Sequence, residues 1–124
     1  MRAFIFYISA MKIYHNPRCT KSRQTLELIR KAGKDPEVIE YLKDPPTTAE
    51  LETIILKLGI KPAELLRKNE TFFKENYRGK SLSDKEWIKI MTENPILIER
   101  PIVVEGNKAV IGRPPENVFN ILKP

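Results

Sequence analysis

Three consecutive segments near the start of the chain restrict its fold more than anything else in it. Lys12-Ile13-Tyr14-His15 reads as a short strand. Thr20 to about Ala32 reads as a helix, with Leu26 and Ile29 at helical spacing and Gly33 as its C-terminal cap. Glu37-Val38-Ile39-Glu40-Tyr41 reads as a second strand. Two strands joined through a helix pair in parallel, by a right-handed crossover. At 124 residues, 41% hydrophobic and 31% charged, the chain suits one soluble globular domain with a real core.

The centre of the chain is helical in pattern. Asp44-Pro45-Pro46 interrupts it, and Thr47 with Glu50 then forms a capping box ahead of Leu51, Ile54, Ile55 and Leu58. Gly59 ends that helix. Pro62 opens a short helix over Ala63 to Arg67, with Leu65 and Leu66 facing a core. Residues 70–80 read as irregular, anchored by Phe72, Phe73 and Tyr77. Ser83 and Glu86 make a second capping box before Trp87, Ile88 and Met91, and Asn94-Pro95 stops the helix. Two β-rich runs flank Glu105-Gly106-Asn107, a hairpin signal. Gly112-Arg113-Pro114-Pro115 leads into a last helix with Val118, Phe119, Ile121 and Leu122 on its apolar side. A parallel pair joined to a later antiparallel hairpin gives an α/β, thioredoxin-like, mixed four-stranded sheet. Helices flank it, and a helical insertion separates strands two and three.

The first ten residues, MRAFIFYISA, are apolar and aromatic. They are too short to span a membrane and a poor match to a secretory signal. They read as an N-terminal extension (1–10) to a single domain (11–124), with Met11 as a second plausible start.

Chemistry concentrates in His15-Asn16-Pro17-Arg18-Cys19-Thr20-Lys21-Ser22-Arg23, which holds the one cysteine and the one histidine of the chain. Cys19 falls where strand one meets helix one, so free amides of the first helical turn would face its sulfur. A thiol at its ordinary pKa near 8.5 is only about 3% thiolate at pH 7, so such stabilisation decides its reactivity. Arg23 stands one helical turn on, and His15 and Arg18 are nearby charges. Residue types alone leave a reactive thiol and an inert buried one both open. One cysteine forbids an internal disulfide and excludes a multi-cysteine zinc site, and it suits a reducing cytoplasm. No metal is implied. The net charge of +6 suits anionic partners, but the lysines are scattered. Nucleic-acid binding is therefore not expected, nor is a membrane.

An ordered set of motifs resembles the glutaredoxin-coupled arsenate reductase family, ArsC, in particular its YfgD-type branch, with the Spx regulators as further relations. The set comprises Tyr14-His15-Asn16-Pro17-Arg18-Cys19, Tyr41-Leu42, Pro45-Pro46, Leu65-Leu66-Arg67-Lys68-Asn69 and Asn94-Pro95-Ile96-Leu97-Ile98. It continues with Arg100-Pro101-Ile102-Val103-Val104 and Gly112-Arg113-Pro114-Pro115-Glu116, so it runs from about Lys12 to the C-terminus. The resemblance implies that Cys19 attacks arsenate, with Arg67, Arg100 and Arg113 holding the oxyanion and His15 assisting thiol ionisation. Ser22 and Arg23 would support the loop, and Pro101 would be a cis-proline that aims Arg100. Glutathione would be the co-substrate and glutaredoxin the protein partner of a cytoplasmic monomer with no bound cofactor. Arginine suits the task because its fork binds oxyanions and keeps its charge. Two positions depart from the family's established arsenate reductases: Thr20 replaces a glycine and Arg18 a small residue.

Other function classes remain distinguishable. A Spx-like regulator commonly carries Cys-x-x-Cys, and position 22 is Ser22. A monothiol glutathione-dependent oxidoreductase acting on another substrate would use Cys19 without needing all three arginines. The low-molecular-weight phosphatase type needs Cys-x5-Arg, and residue 25 is Thr25.

Overall fold

The computed structural model describes residues 11–122, so the proposed extension over residues 1–10 lies outside the described residues. The described chain forms two compact units, one from residues 11–41 and 100–122 and the other from 42–99.

The first unit carries the sheet. Strand β1 (Met11–His15) is followed by helix α1 (Thr20–Lys31) and strand β2 (Glu37–Glu40). Strands β3 (Ile102–Glu105) and β4 (Lys108–Ile111) come from the far end of the chain. Their order is β2-β1-β3-β4. β1 pairs in parallel with β2, Ile13 opposite Val38, and antiparallel with β3, Ile13 opposite Val103. β3 pairs antiparallel with β4, Val103 opposite Val110. This is the expected mixed four-stranded sheet. The hairpin turns at Gly106, whose φ of 59° lies in the left-handed region that glycine enters without a steric penalty.

Leu26 and Ile29 of α1 pack with Met11, Ile13, Val103, Val118 and Ile121 in the core of this unit. A fully buried Ile such as Ile29 contributes about 1.5–3 kcal/mol by leaving water. β2 ends one residue earlier than its sequence pattern suggests, and Tyr41 turns away from the strand as a buried residue. The last segment departs from a single helix. A 3-10 turn over Pro115–Val118 precedes a four-residue helix, α5 (Phe119–Leu122). Phe119 is 46% exposed and so is not the core residue that helical spacing suggests. The 3-10 turn rotates successive side chains by 120°, which shifts the apolar face.

The second unit is mainly helical and occupies the insertion between β2 and β3. It contains α2 (Thr48–Leu58), a 3-10 turn at Pro62–Leu65, α3 (Thr71–Asn76), α4 (Asp84–Glu93) and a 3-10 turn at Pro95–Leu97. Both capping boxes form: Thr47 Oγ1 accepts the Glu50 N–H at 3.1 Å, and Ser83 Oγ accepts that of Glu86 at 3.2 Å. The expected helix over Ala63–Arg67 is instead a 3-10 turn that ends at Leu65. Leu66 is extended and bridges Ile98, while Arg67 N–H donates to the Leu97 carbonyl at 2.8 Å. Pairing with residues 97–99 satisfies the backbone groups that a continuing helix would have used.

Residues 71–76 are helical where the sequence reads as irregular. Six residues without a side-chain cap are too few to hold a helix by themselves. Here tertiary packing holds it: Phe73 stacks on Trp87 with ring centroids 6.0 Å apart, and Tyr77 meets the same Trp edge-on. Among the described residues no helix is long and apolar enough to cross a membrane, and no His, Cys, Asp and Glu group could hold a metal ion.

Candidate active site

Cys19 is the N-cap of α1, with extended backbone (φ −97°, ψ 121°). A tight loop delivers it there. The Cys19 N–H donates to the Asn16 carbonyl at 2.9 Å, and Asn16 Oδ1 accepts the Arg18 N–H at 3.0 Å. The sulfur makes no strict cap hydrogen bond, yet the Ser22 and Lys21 amides of the first turn lie close enough to act on its ionisation.

Two arginines bring charge to this sulfur from the other end of the unit. Arg113, just beyond β4, directs Nη1 at Cys19 Sγ from 3.6 Å, and the same nitrogen donates to the Arg100 carbonyl at 3.3 Å. Arg100 stands two residues before β3, with Pro101 between them. Burial pushes the thiol up and is the largest single influence on it. The Ser22 amide, the Arg100 charge, the Arg113 hydrogen bond and the Lys21 amide together outweigh burial, and the thiol lies below its ordinary value. At only 8% exposure, Cys19 is buried but electrostatically primed.

His15 and Ser22 make a second small network under the loop. Both are buried, and His15 Nδ1 lies 2.6 Å from Ser22 Oγ. Ser22 Oγ also accepts the Asn16 N–H at 3.0 Å. Its own hydrogen is then available to Nδ1, which goes with the neutral Nε2–H tautomer. Desolvation is the main reason that the His15 pKa is lowered. Glu40 opposes it, and Arg30 and Arg23 reinforce it. A neutral His15 has no charge to lend the thiol, so its visible contact is structural, tying the end of β1 to α1 through Ser22.

Arg23 is also occupied locally. Its Nη1 donates to the Pro17 carbonyl at 2.8 Å and its Nη2 to Thr20 Oγ1 at 3.2 Å, which pins the loop to the helix. Pro101 is cis, as the resemblance implies, and so is Pro114 beside Arg113, which carried no sequence signal of its own. Arg67 belongs to the helical unit. There its Nη1 donates to the Ile96 carbonyl at 3.2 Å and pairs with Glu70 at 3.2 Å.

Sequence reasoning overlooked Asn117 and Thr25. Asn117 Nδ2 donates to the carbonyls of Ile111 and Arg113, both at 3.1 Å, and so holds the arginine-bearing turn. Thr25 is a fully buried polar residue on the inner side of α1. A threonine on the buried face of α1, beside Ser22, Leu26 and Ile29, was the one available signal for it.

The ArsC family model matches residues 14–121. The chain is 50% identical over 114 residues to YfgD of Escherichia coli strain K12, an uncharacterized protein, covering 90% of this chain and 96% of that one. It is 48% identical over 111 residues to the arsenate reductase of Rhizobium meliloti strain 1021, covering 89% and 79%. The solved arsenate reductase from Vibrio cholerae superposes with a TM-score of 0.87 at 45% identity, covering 90% and 96%. With a family model over most of its length and relatives at this identity, the chain belongs to the ArsC family.

Proposed function

We propose that this protein reduces arsenate to arsenite, with Cys19 as the nucleophile. The observation that carries the reading is a sulfur at a helix N-cap with an arginine nitrogen 3.6 Å away and a second arginine lowering its pKa. That arrangement suits both a thiolate and a tetrahedral oxyanion beside it. The likeness to proteins named arsenate reductase supports the choice of substrate.

In this reading Arg100 and Arg113 bind the oxyanion, and Arg67 keeps the oxyanion-binding role that the family resemblance implies for it. The Cys19 thiolate attacks arsenic and an arsenate oxygen leaves as water, forming a sulfur–arsenic(V) bond. Glutathione adds to the arsenic with loss of a second water. A further external thiol, supplied by glutaredoxin, attacks the glutathione sulfur. That sulfur leaves in a disulfide and its bonding pair stays on arsenic, which becomes As(III). Water then hydrolyses the remaining Cys19–arsenic bond, releasing arsenite and restoring the thiol. Because one cysteine cannot form an internal disulfide, the second thiol must come from outside the chain. His15 and Ser22 hold the loop, and Arg23 fixes its outer side. The protein acts as a cytoplasmic monomer without a bound cofactor.

The test is arsenate-dependent NADPH oxidation in a mixture of glutathione, glutathione reductase and glutaredoxin, for wild type and Cys19→Ser. Turnover that disappears in Cys19→Ser is expected. A folded wild type with an alkylatable Cys19 and no arsenate turnover would refute the substrate. Turnover on a disulfide that survives Arg67→Ala would instead favour a monothiol glutathione-dependent oxidoreductase.

A further inference from the structure

The two arginines beside Cys19 sit on short connections, and short connections wander unless something fixes them. Arg113 follows Gly112, whose N–H donates to the Pro101 carbonyl at 2.9 Å. Gly112 is not among the glycines with positive φ, so backbone freedom does not account for it. Space does. A Cβ placed there would overlap Thr25 Oγ1 and lie 2.9 Å from both Thr25 Cγ2 and Pro101 Cγ.

Neither neighbour can move aside easily. Thr25 is β-branched, and its hydroxyl donates to the Lys21 carbonyl one turn back at 2.8 Å. The Gly112 carbonyl is a second, longer acceptor at 3.3 Å. One hydroxyl hydrogen cannot serve both at full strength, so Thr25 holds Gly112 mostly by contact. Pro101 is a buried rigid ring directly after Arg100. One buried side chain on α1 therefore abuts the residue before Arg113, and that residue in turn lies against the ring after Arg100.

We propose that Thr25 is a positioning residue for the active site: packed against Gly112, which itself lies against Pro101, it sets where Arg113 and, through Gly112, Arg100 stand relative to the Cys19 sulfur. The helix whose N-terminus carries the thiol thereby also gauges the arginines, and Thr25 lies six residues beyond Cys19. Thr25 acts through these neighbours and touches neither sulfur nor substrate. The groups facing the sulfur are the Arg113 guanidinium, the Arg100 charge and the Ser22 and Lys21 amides. The proposal rests on reading Cys19 as the working thiol.

The test follows iodoacetamide alkylation of Cys19 by intact mass from pH 5 to 10 in wild type, Gly112→Ala, Thr25→Ser and the double variant Gly112→Ala/Thr25→Ala. Alkylation needs no arsenate, so a failed arsenate assay leaves this result readable, and the reverse also holds. In Gly112→Ala the added methyl displaces the Arg113 turn, and alkylation at pH 6 slows by about three- to tenfold as thiolate is lost. Adding Thr25→Ala removes both contacting atoms of that side chain and returns the rate toward wild type. A folded Gly112→Ala with the wild-type pH profile overturns the proposal, as does a double variant with no recovery. Thr25→Ser drops Cγ2 but keeps the hydroxyl, and is expected to fold and slow alkylation by a smaller factor. If Gly112→Ala does not fold, a wild-type profile in Thr25→Ser overturns the proposal. Failure of both to fold would also overturn it, because the contact would then serve the core rather than the site.

Discussion

Replacing Ser22 by alanine should expose how much of this site depends on one buried hydroxyl. Ser22 is fully buried and serves two partners: His15 Nδ1 at 2.6 Å and the Asn16 N–H at 3.0 Å. Alanine fits the space but leaves both unmatched. A buried acceptor without its donor costs about 1–3 kcal/mol, and the half-buried Asn16 amide, which water can partly reach, about 0.5–1.5 kcal/mol. The expected loss is therefore about 1.5–4.5 kcal/mol, read by urea unfolding followed with far-UV circular dichroism at pH 7.5. A second readout is cleaner still, because the chain has a single histidine and so a single set of imidazole resonances. Burial is the main reason that His15 stays neutral, and a hydroxyl donated to Nδ1 adds to it, so removing that hydroxyl moves the His15 titration upward, toward the ordinary value near 6.5. In the wild type, folded His15 binds a proton less readily than the unfolded chain does. The stability from keeping it neutral is full above about pH 6.5 and is lost as pH falls toward the lower folded pKa. Ser22→Ala should flatten that dependence. A stability loss below about 0.5 kcal/mol, together with an unmoved histidine titration, would refute the network as described.

Two further outcomes follow from single contacts. Arg113→Gln removes the charged donor 3.6 Å from the sulfur, and alkylation of Cys19 at pH 6 should slow about tenfold, the weight of a charge-assisted hydrogen bond near 1.5 kcal/mol. An unchanged rate would leave Arg113 without a role at the thiol. Thr47→Ala opens the capping box of α2, where Thr47 Oγ1 accepts the Glu50 N–H and Glu50 Oε1 accepts the Thr47 N–H. Urea unfolding should show a loss of about 1 kcal/mol, and no loss would mean that the cap contributes nothing to this helical unit.

Much of this protein was legible because it depends on short-range rules. The placement of Cys19 at a strand-to-helix junction follows from the apolar run before it and from Leu26 and Ile29 after it, all within a few helical turns. Both capping boxes and the hairpin around Gly106 follow from residues three or fewer positions apart. Such features fold nearly as their sequence reads, because the interacting groups are neighbours along the chain. The helix at 71–76 defied the same rules, since its stability comes from Phe73 against Trp87 and no local pattern encodes that contact.

Residues close together along the chain dictate a βαβ start, a thiol at a helix N-terminus, an inserted helical segment and a closing hairpin. The first-turn amides at Ser22 and Lys21 belong to that local pattern, but which charged side chains reach the thiol is set by the fold. The nearby candidates His15 and Arg23 are engaged with Ser22, Pro17 and Thr20, whereas Arg113 reaches the sulfur from 94 residues away. Thr25 meets Gly112 across 87 residues. Periodicity and capping propensity act over one or two turns of chain, while electrostatic and packing partners are chosen by where the sheet places distant segments. That choice brings two arginines and a glycine without room for a side chain to one cysteine.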